Sequence, residues 1–448
     1  MNVYLRAAVG EYTALAFLPM VLLGIYNIYE KKKGQKMYTA DWVPLVFGIS
    51  GIIQSHIITT YMMTIFVVIF CIFNLKKTFE KERILALCKA GILTVLLNLW
   101  FLVPFLESMK MDIMVNQGEK INRLNASSLY LPQLFGIFHT ASGANQLYSM
   151  QEEMPLSLGS ALVFGLALFA LCILKRRIWN LCEKKVWKTA CWSFGMASIA
   201  IFFTLNICPW DMLQSYNSRL AKLIGMIQFP WRYLGVATLF LIVGMLNAFQ
   251  IIEVNCGKKV IKMTVCIVVL LVLMEEGLFY KEFIDQSKNE TFYAANDVND
   301  FEIGQGEYLL SNTMIMDLGT HKVNTNPETV VRQFTEDNGH YCLNVKNKAE
   351  IMGYADIPVL AYEHYYAHDV STKREIKIQH LDASCRIRLV LPPEYDGAIE
   401  VKFKEPLIWR ICETISFLSV VGIVLYFIFI GHIRRRHLSL NGTDKEDM

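Results

Sequence analysis

The chain has 448 residues, 54% of them apolar and 12% aromatic, with a formal net charge of +3 and a mean hydropathy of +0.34. That apolar content exceeds what the core of a water-soluble domain uses, so the surplus has to face lipid. The small net charge argues against a nucleic-acid partner, because the basic residues form short clusters between apolar runs rather than one patch.

Crossing a hydrocarbon core of about 30 Å takes about 20 apolar helical residues. Nine runs bounded by charge are candidates: 10–29, 42–54, 57–75, 86–106, 156–174, 188–207, 233–252, 261–280 and 408–431. The second is short, and 42–75 could instead be one long or bent helix. A single crossing there would put the basic loops 31–36 and 76–83 on opposite sides, against the positive-inside rule, whereas two crossings put both in the cytoplasm. With that parity the short cytoplasmic segments carry 21 Lys and Arg against 7 in the outer segments 1–9, 107–155 and 208–232. The expectation is a multi-pass cell-membrane protein: a membrane domain over 1–280 with eight spans, an outer domain over 281–405, a last helix over 406–431 and a basic cytoplasmic tail over 432–448. Residues 1–9 fall outside, with neither a charged signal-peptide region nor an apolar run before them. Two readings are open: a segment missing upstream, or a chain whose first helix inserts with its N-terminus outward.

Of the outer segments, 107–155 holds Glu107, Asp112, Glu119 and Arg123 around the apolar run 131–138, which suits the membrane interface. In 208–232, Leu213, Leu220, Leu223 and Ile224 recur at helical spacing, and predict an amphipathic helix lying on the membrane surface. Over 281–405 long apolar runs give way to short alternating ones. Residues 385–391 and 398–404 each alternate apolar and charged side chains, and 392–397 between them reads as a turn, so the pair predicts a hairpin in a small β-sandwich. Cys342 and Cys385 lie in this domain, and either a disulfide or two buried thiols on facing strands fits. The remaining cysteines form no CxxC pair or metal-type spacing, and most sit in apolar runs as small hydrophobes.

Gly10-Glu11 followed by Ala14, Phe17, Leu18 and Pro19, then Ser55-His56, then Gln228-Phe229-Pro230-Trp231-Arg232 resemble the bacterial YfhO-like membrane proteins, a group whose members also carry the label 6-pyruvoyl-tetrahydropterin synthase-related. The run Gly306-Glu307-Tyr308-Leu309, the segment 357–366, and Pro406 with Trp409 resemble the end of such proteins. These in turn resemble the GT-C class of membrane glycosyltransferases, and the resemblance implies a GT-C-like transmembrane bundle that moves sugar from a polyprenyl-phosphate donor to a cell-envelope acceptor. It also implies that a divalent cation is possible, and that an acidic catalytic loop precedes the Gly-Glu helix. This chain starts at the end of that loop, so the chain alone is expected to transfer no sugar. A pterin-synthase activity would need a three-histidine zinc site, which nine scattered histidines do not supply. A helix would bring His364 and His368 to one face, but their flanks are β-like, so no metal site is expected there.

The candidate catalytic acids are Glu11, Asp112 and Glu119, with Glu107 in the same loop as the last two. Glu11 could act as base or ligand, or simply favour a helix start by its charge. The candidate ligands for a lipid phosphate or substrate are Arg232, Trp231, Gln228 and His56. A guanidinium at the membrane surface can grip a phosphate with two N–H groups. It can equally be an interfacial anchor that snorkels to headgroups beside an aromatic belt. Glu275 and Glu276, near the outer end of their span, are accounted for by a solvated interface. Lipid is the expected surrounding, and the alternative function is a non-catalytic envelope transporter or assembly factor, or an inactive fragment of the enzyme.

Overall fold

Apolar runs of helical length fold as helices in the computed structural model of the chain, which describes residues 8–113, 123–136, 156–176, 184–287, 309–311, 313, 321–379 and 385–443. The helices are α1 (Val9–Glu30), α2 (Thr39–Ser55), α3 (Ile57–Phe73), α4 (Leu75–Thr78), α5 (Lys81–Ser108), α6 (Ser160–Leu174), α7 (Lys184–Thr204), α8 (Trp210–Tyr216), α9 (Ser218–Gly225), α10 (Tyr233–Ser287) and α11 (Leu407–Thr443). Each of the nine expected runs falls in or overlaps one of them, but among the described residues five stretches, 9–30, 81–108, 184–204, 230–281 and 407–429, are long and apolar enough to cross a membrane. The difference has three sources. α3 and α6 are apolar but have only 17 and 15 residues. α2 is a 17-residue helix that does not reach the same apolarity. The runs 233–252 and 261–280 are two helices that meet at a kink, where Gly257 leaves helical geometry (φ 82°, ψ 168°), and with no loop between them they form a single apolar stretch, 230–281. Hydropathy marks the polar stretch between two apolar runs, but it cannot tell a loop from a one-residue kink.

The chain divides into two compact units, residues 1–95 with 120–292, and 96–119 with 293–448. In the first, α1 and α2 pack backbone to backbone. A Cβ at Gly24 would collide with the Leu45 backbone nitrogen, and one at Gly48 would lie 2.7 Å from the Val21 nitrogen. Small residues permit this approach, which dispersion and lipid release reward where no hydrophobic drive exists between helices. Elsewhere in this unit α6 and α7 pack against α10 around buried Cys172, Ala248, Ile251 and Ile252. The expected surface helix is two short ones, because Asn217 takes an extended conformation between α8 and α9 and its Oδ1 accepts from the Arg219 N–H at 2.7 Å. An Asn side chain makes a better helix N-cap than a helix interior, so it splits the run.

In the second unit the β domain is a sandwich of two antiparallel sheets. Strands β1 (Asn324–Thr325), β4 (Gly353–Leu360), β8 (Arg386–Leu391) and β7 (Ile378–Gln379) form one in that order. The other is β2 (Thr329–Asp337), β3 (His340–Asn347), β9 (Asp396–Phe403), β5 (Tyr365–Asp369) and β6 (Glu375–Ile376). Leu343, Val345, Ile357, Ile387, Leu389 and Val401 fill the space between them and are fully buried. The expected hairpin is corrected here: β8 and β9 belong to different sheets, and the turn at 392–395 carries the chain across the core. Alternation is the same for a hairpin and for such an arch, since in both each strand buries one face. Across β4 and β8 Arg388 donates twice to buried Asp356, at 2.7 Å each, and stacks on Tyr354. Cys342 is an exposed and Cys385 a half-buried free thiol, on strands of different sheets or beside them. The run 306–308 lies outside the described residues.

Candidate functional site

In the first unit, motifs far apart in sequence meet at the start of α1. Between α2 and α3 the backbone of His56 is extended (φ −158°, ψ 107°), so α2 ends and α3 begins there. Its Nδ1 accepts the Thr59 N–H at 3.3 Å and so caps α3. Gly10 packs against this turn: a Cβ there would collide with the Ser55 carbonyl oxygen and lie 3.7 Å from the His56 Cδ2. One residue on, Glu11 is buried, and its Oε2 lies 3.5 Å from the Arg232 Nε, with both side chains 8% exposed. Arg232 donates from Nη1 to the Ile227 carbonyl at 3.1 Å and to Gln228 Oε1 at 2.8 Å. Its guanidinium carbon lies 5.1 Å from the Phe229 ring centre, and Phe229 stacks on Trp231 at 5.2 Å.

Pro230 starts a single 3₁₀ turn, Pro230–Arg232, leading into α10, because its fixed φ suits a first helical position. Gln228, just before, takes a left-handed φ of 63°. A non-glycine residue there is held by its surroundings, and such positions gather at ligand sites. The Glu11–Arg232 pair, with Gln228, Trp231 and His56, is the part of the expected constellation that the fold assembles. The guanidinium is turned inward among protein groups, and not extended toward headgroups.

The second unit holds another cluster at the junction of the β-sandwich and two helices. Glu107, in the last turn of α5, accepts the Trp409 Nε1–H on Oε2 at 2.6 Å and the His364 Nε2–H on Oε1 at 2.9 Å. Trp409 sits in the first turn of α11. His364 takes a left-handed φ of 72°, and its carbonyl accepts the Lys404 N–H at 2.9 Å. Ligand atoms of Glu107, Glu363 and His364 lie within 4.8 Å of one another. One nitrogen and two carboxylate oxygens could hold a divalent cation such as Zn²⁺ or Mn²⁺, with the remaining positions open. Glu363 and His364 also border a hollow of about 650 Å³ beside β5 and β6.

Asp112 is in this unit, where its Oδ1 accepts the Ser311 Oγ–H at 2.7 Å. Glu119 lies outside the described residues. His364 and His368 do not converge, since His368 Nε2 faces Glu400 at 3.1 Å on the neighbouring strand. Glu275 is not merely solvated: its Oε2 accepts the Ser160 N–H at 2.9 Å and Oγ–H at 2.6 Å, closing the N-terminus of α6. The role of Glu363 was not visible in sequence, because nothing local distinguishes it from other acids of the strand-rich region. Compared with known proteins, the chain matches no family model, no curated protein and no solved structure.

Proposed function

We propose that the chain is a GT-C-like membrane protein with nine crossings, its β-sandwich outside the cytoplasm, that handles a polyprenyl-phosphate sugar and passes the sugar to a cell-envelope acceptor. The observation that carries this reading is the meeting of Gly10-Glu11, Ser55-His56 and Gln228–Arg232, three motifs of the resemblance, at one end of α1. In the reaction the bond from the anomeric carbon to the donor phosphate breaks as a bond to the acceptor oxygen forms. The acceptor proton goes to a carboxylate, for which Glu11 is the candidate in this unit, and Arg232 balances the charge of the departing lipid phosphate. A divalent cation, if used, would be held by Glu107, Glu363 and His364, whose donor set suits one.

The test is binding of polyprenyl phosphate to the purified chain. Arg232→Lys keeps the charge but loses the planar fork, so binding should fall about tenfold or more. A second reading, a non-catalytic envelope assembly factor, is favoured by the commitment of Arg232 to Glu11, Gln228 and the Ile227 carbonyl. It stands if Arg232→Lys lowers stability and leaves lipid-phosphate binding unchanged.

A further inference from the structure

At the end of the first unit that carries the loops 31–36 and 76–83, helices α1, α3, α7 and α10 leave a groove of about 670 Å³. That volume is ample for a small ligand or part of a larger one. Its floor is apolar, formed by Met63, Phe66, Phe70, Trp192, Met196 and Phe240, with the rings of Phe70 and Trp192 5.5 Å apart. Its rim is basic: among the described residues eight Lys and Arg side chains line it against two carboxylates. Both carboxylates are already engaged, Glu30 with Lys185 at 3.2 Å and Glu80 with Arg83.

The sharpest feature is Lys77, which lines the groove together with Lys188 and Arg83. Burial pushes the Lys77 ammonium down from its ordinary value, and the charges of Lys188 and Arg83 push the same way, opposed by Glu80. Ammonium groups that line one apolar groove are stabilised by an anion with an apolar tail, and basic pockets between membrane helices take anionic headgroups in this way.

We propose that this groove binds an anionic phospholipid, its phosphate between Lys77 and Lys188 and an acyl chain lying along Met63, Phe66, Phe70 and Trp192. The proposal is independent of the sugar-transfer reading, because it uses other residues and the opposite end of α1. The charge bias of the loops assigns this end to the cytoplasmic leaflet, whose surface is anionic.

The test uses the full chain purified in detergent, with bound lipid counted by native mass spectrometry. The probes are phosphatidylglycerol, phosphatidylcholine and soluble glycerol 3-phosphate. The protein should retain phosphatidylglycerol at least tenfold over phosphatidylcholine. Removing two cations at about fivefold each, in Lys77→Gln with Lys188→Gln, should lower that retention about twenty-five-fold. The paired Lys77→Arg and Lys188→Arg variant should keep it, which separates lost charge from lost fold. Thr189→Trp, which fills the groove without touching a cation, should also lower it. Equal retention of the two lipids, or an unchanged preference in the glutamine pair, would overturn the proposal. Competition by glycerol 3-phosphate at equal concentration would overturn the lipid assignment in favour of a soluble phosphate.

Discussion

Breaking the Glu11–Arg232 pair should cost more than any surface ion pair in this protein, and the cost should depend on which partner is removed. At the observed 3.5 Å, two unit charges attract by about 5 kcal/mol at an effective dielectric constant of about 20, before desolvation is subtracted. Losing one partner of a buried pair costs about 3–5 kcal/mol, mostly because the other charge stays buried alone. Arg232→Met removes the charge that faces Glu11 and also the donors to Gln228 and the Ile227 carbonyl. Glu11→Gln leaves Arg232 with both of those acceptors. The expected losses are therefore about 4 kcal/mol for Arg232→Met and about 2–3 for Glu11→Gln. The double variant should fall short of their sum by about 2 kcal/mol or more, and be no less stable than Arg232→Met alone. Unfolding in a titration with denaturing detergent, followed by tryptophan fluorescence, reads all four corners of the cycle, and Trp231 beside the pair is a local reporter. Additivity within about 0.5 kcal/mol would refute the coupling and leave Arg232 as an independent anchor.

Other expectations follow from single contacts. Gly24→Ala should destabilise the first unit by about 1–3 kcal/mol, because its Cβ meets the Leu45 backbone, while Gly91→Ala, which meets nothing within 4 Å, should be neutral or slightly stabilising in the same detergent assay. Hydrogen bonds from Ser371, Tyr395 and Thr372 hold the Asp369 carboxyl well below the usual carboxylate range. A depressed carboxyl stabilises fully above its unfolded value and loses that contribution as pH falls, so the β-sandwich should grow sensitive to pepsin below about pH 4, and Asp369→Asn should flatten this acid limb while costing about 2 kcal/mol at neutral pH. Zn²⁺ titrated into the purified chain should bind once by calorimetry, and His364→Ala should weaken it at least tenfold; an unchanged affinity would remove Glu107, Glu363 and His364 from the assignment.

The helices and the sandwich were legible because each rests on a local period. Leu343, Val345, Ile399 and Val401 face one core because side chains alternate along a strand, and the apolar runs announce helices through length alone. What a local period cannot carry is partnership. Residues 385–391 and 398–404 look like hairpin strands until the sheet assignment separates them. The runs 233–252 and 261–280 are two helices, as their polar join suggests, but nothing local shows that a kink at Gly257 joins them without a loop. Glu107 and Trp409 are 302 positions apart, so no window of sequence contains both.

One local signal nevertheless anticipates the Glu107 cluster. Among the described residues of the last turn of α5, Glu107 is an acid placed where the helix dipole disfavours negative charge. Glu11 stands at the opposite, favourable end of its helix, in the first turn of α1. An acid kept at a C-terminal turn has to be compensated by donors from elsewhere in the chain, and the candidates are few in so apolar a segment. Trp409 and His364 supply them, one from the helix that follows the sandwich and one from a strained turn within it. Trp409→Phe, which keeps an aromatic ring but removes the N–H with the rest of the indole, tests that compensation. It should cost about 1–3 kcal/mol and loosen α11 from α5, read as faster hydrogen exchange in residues 407–416. Unchanged exchange there would mean that Glu107 is held by His364 alone.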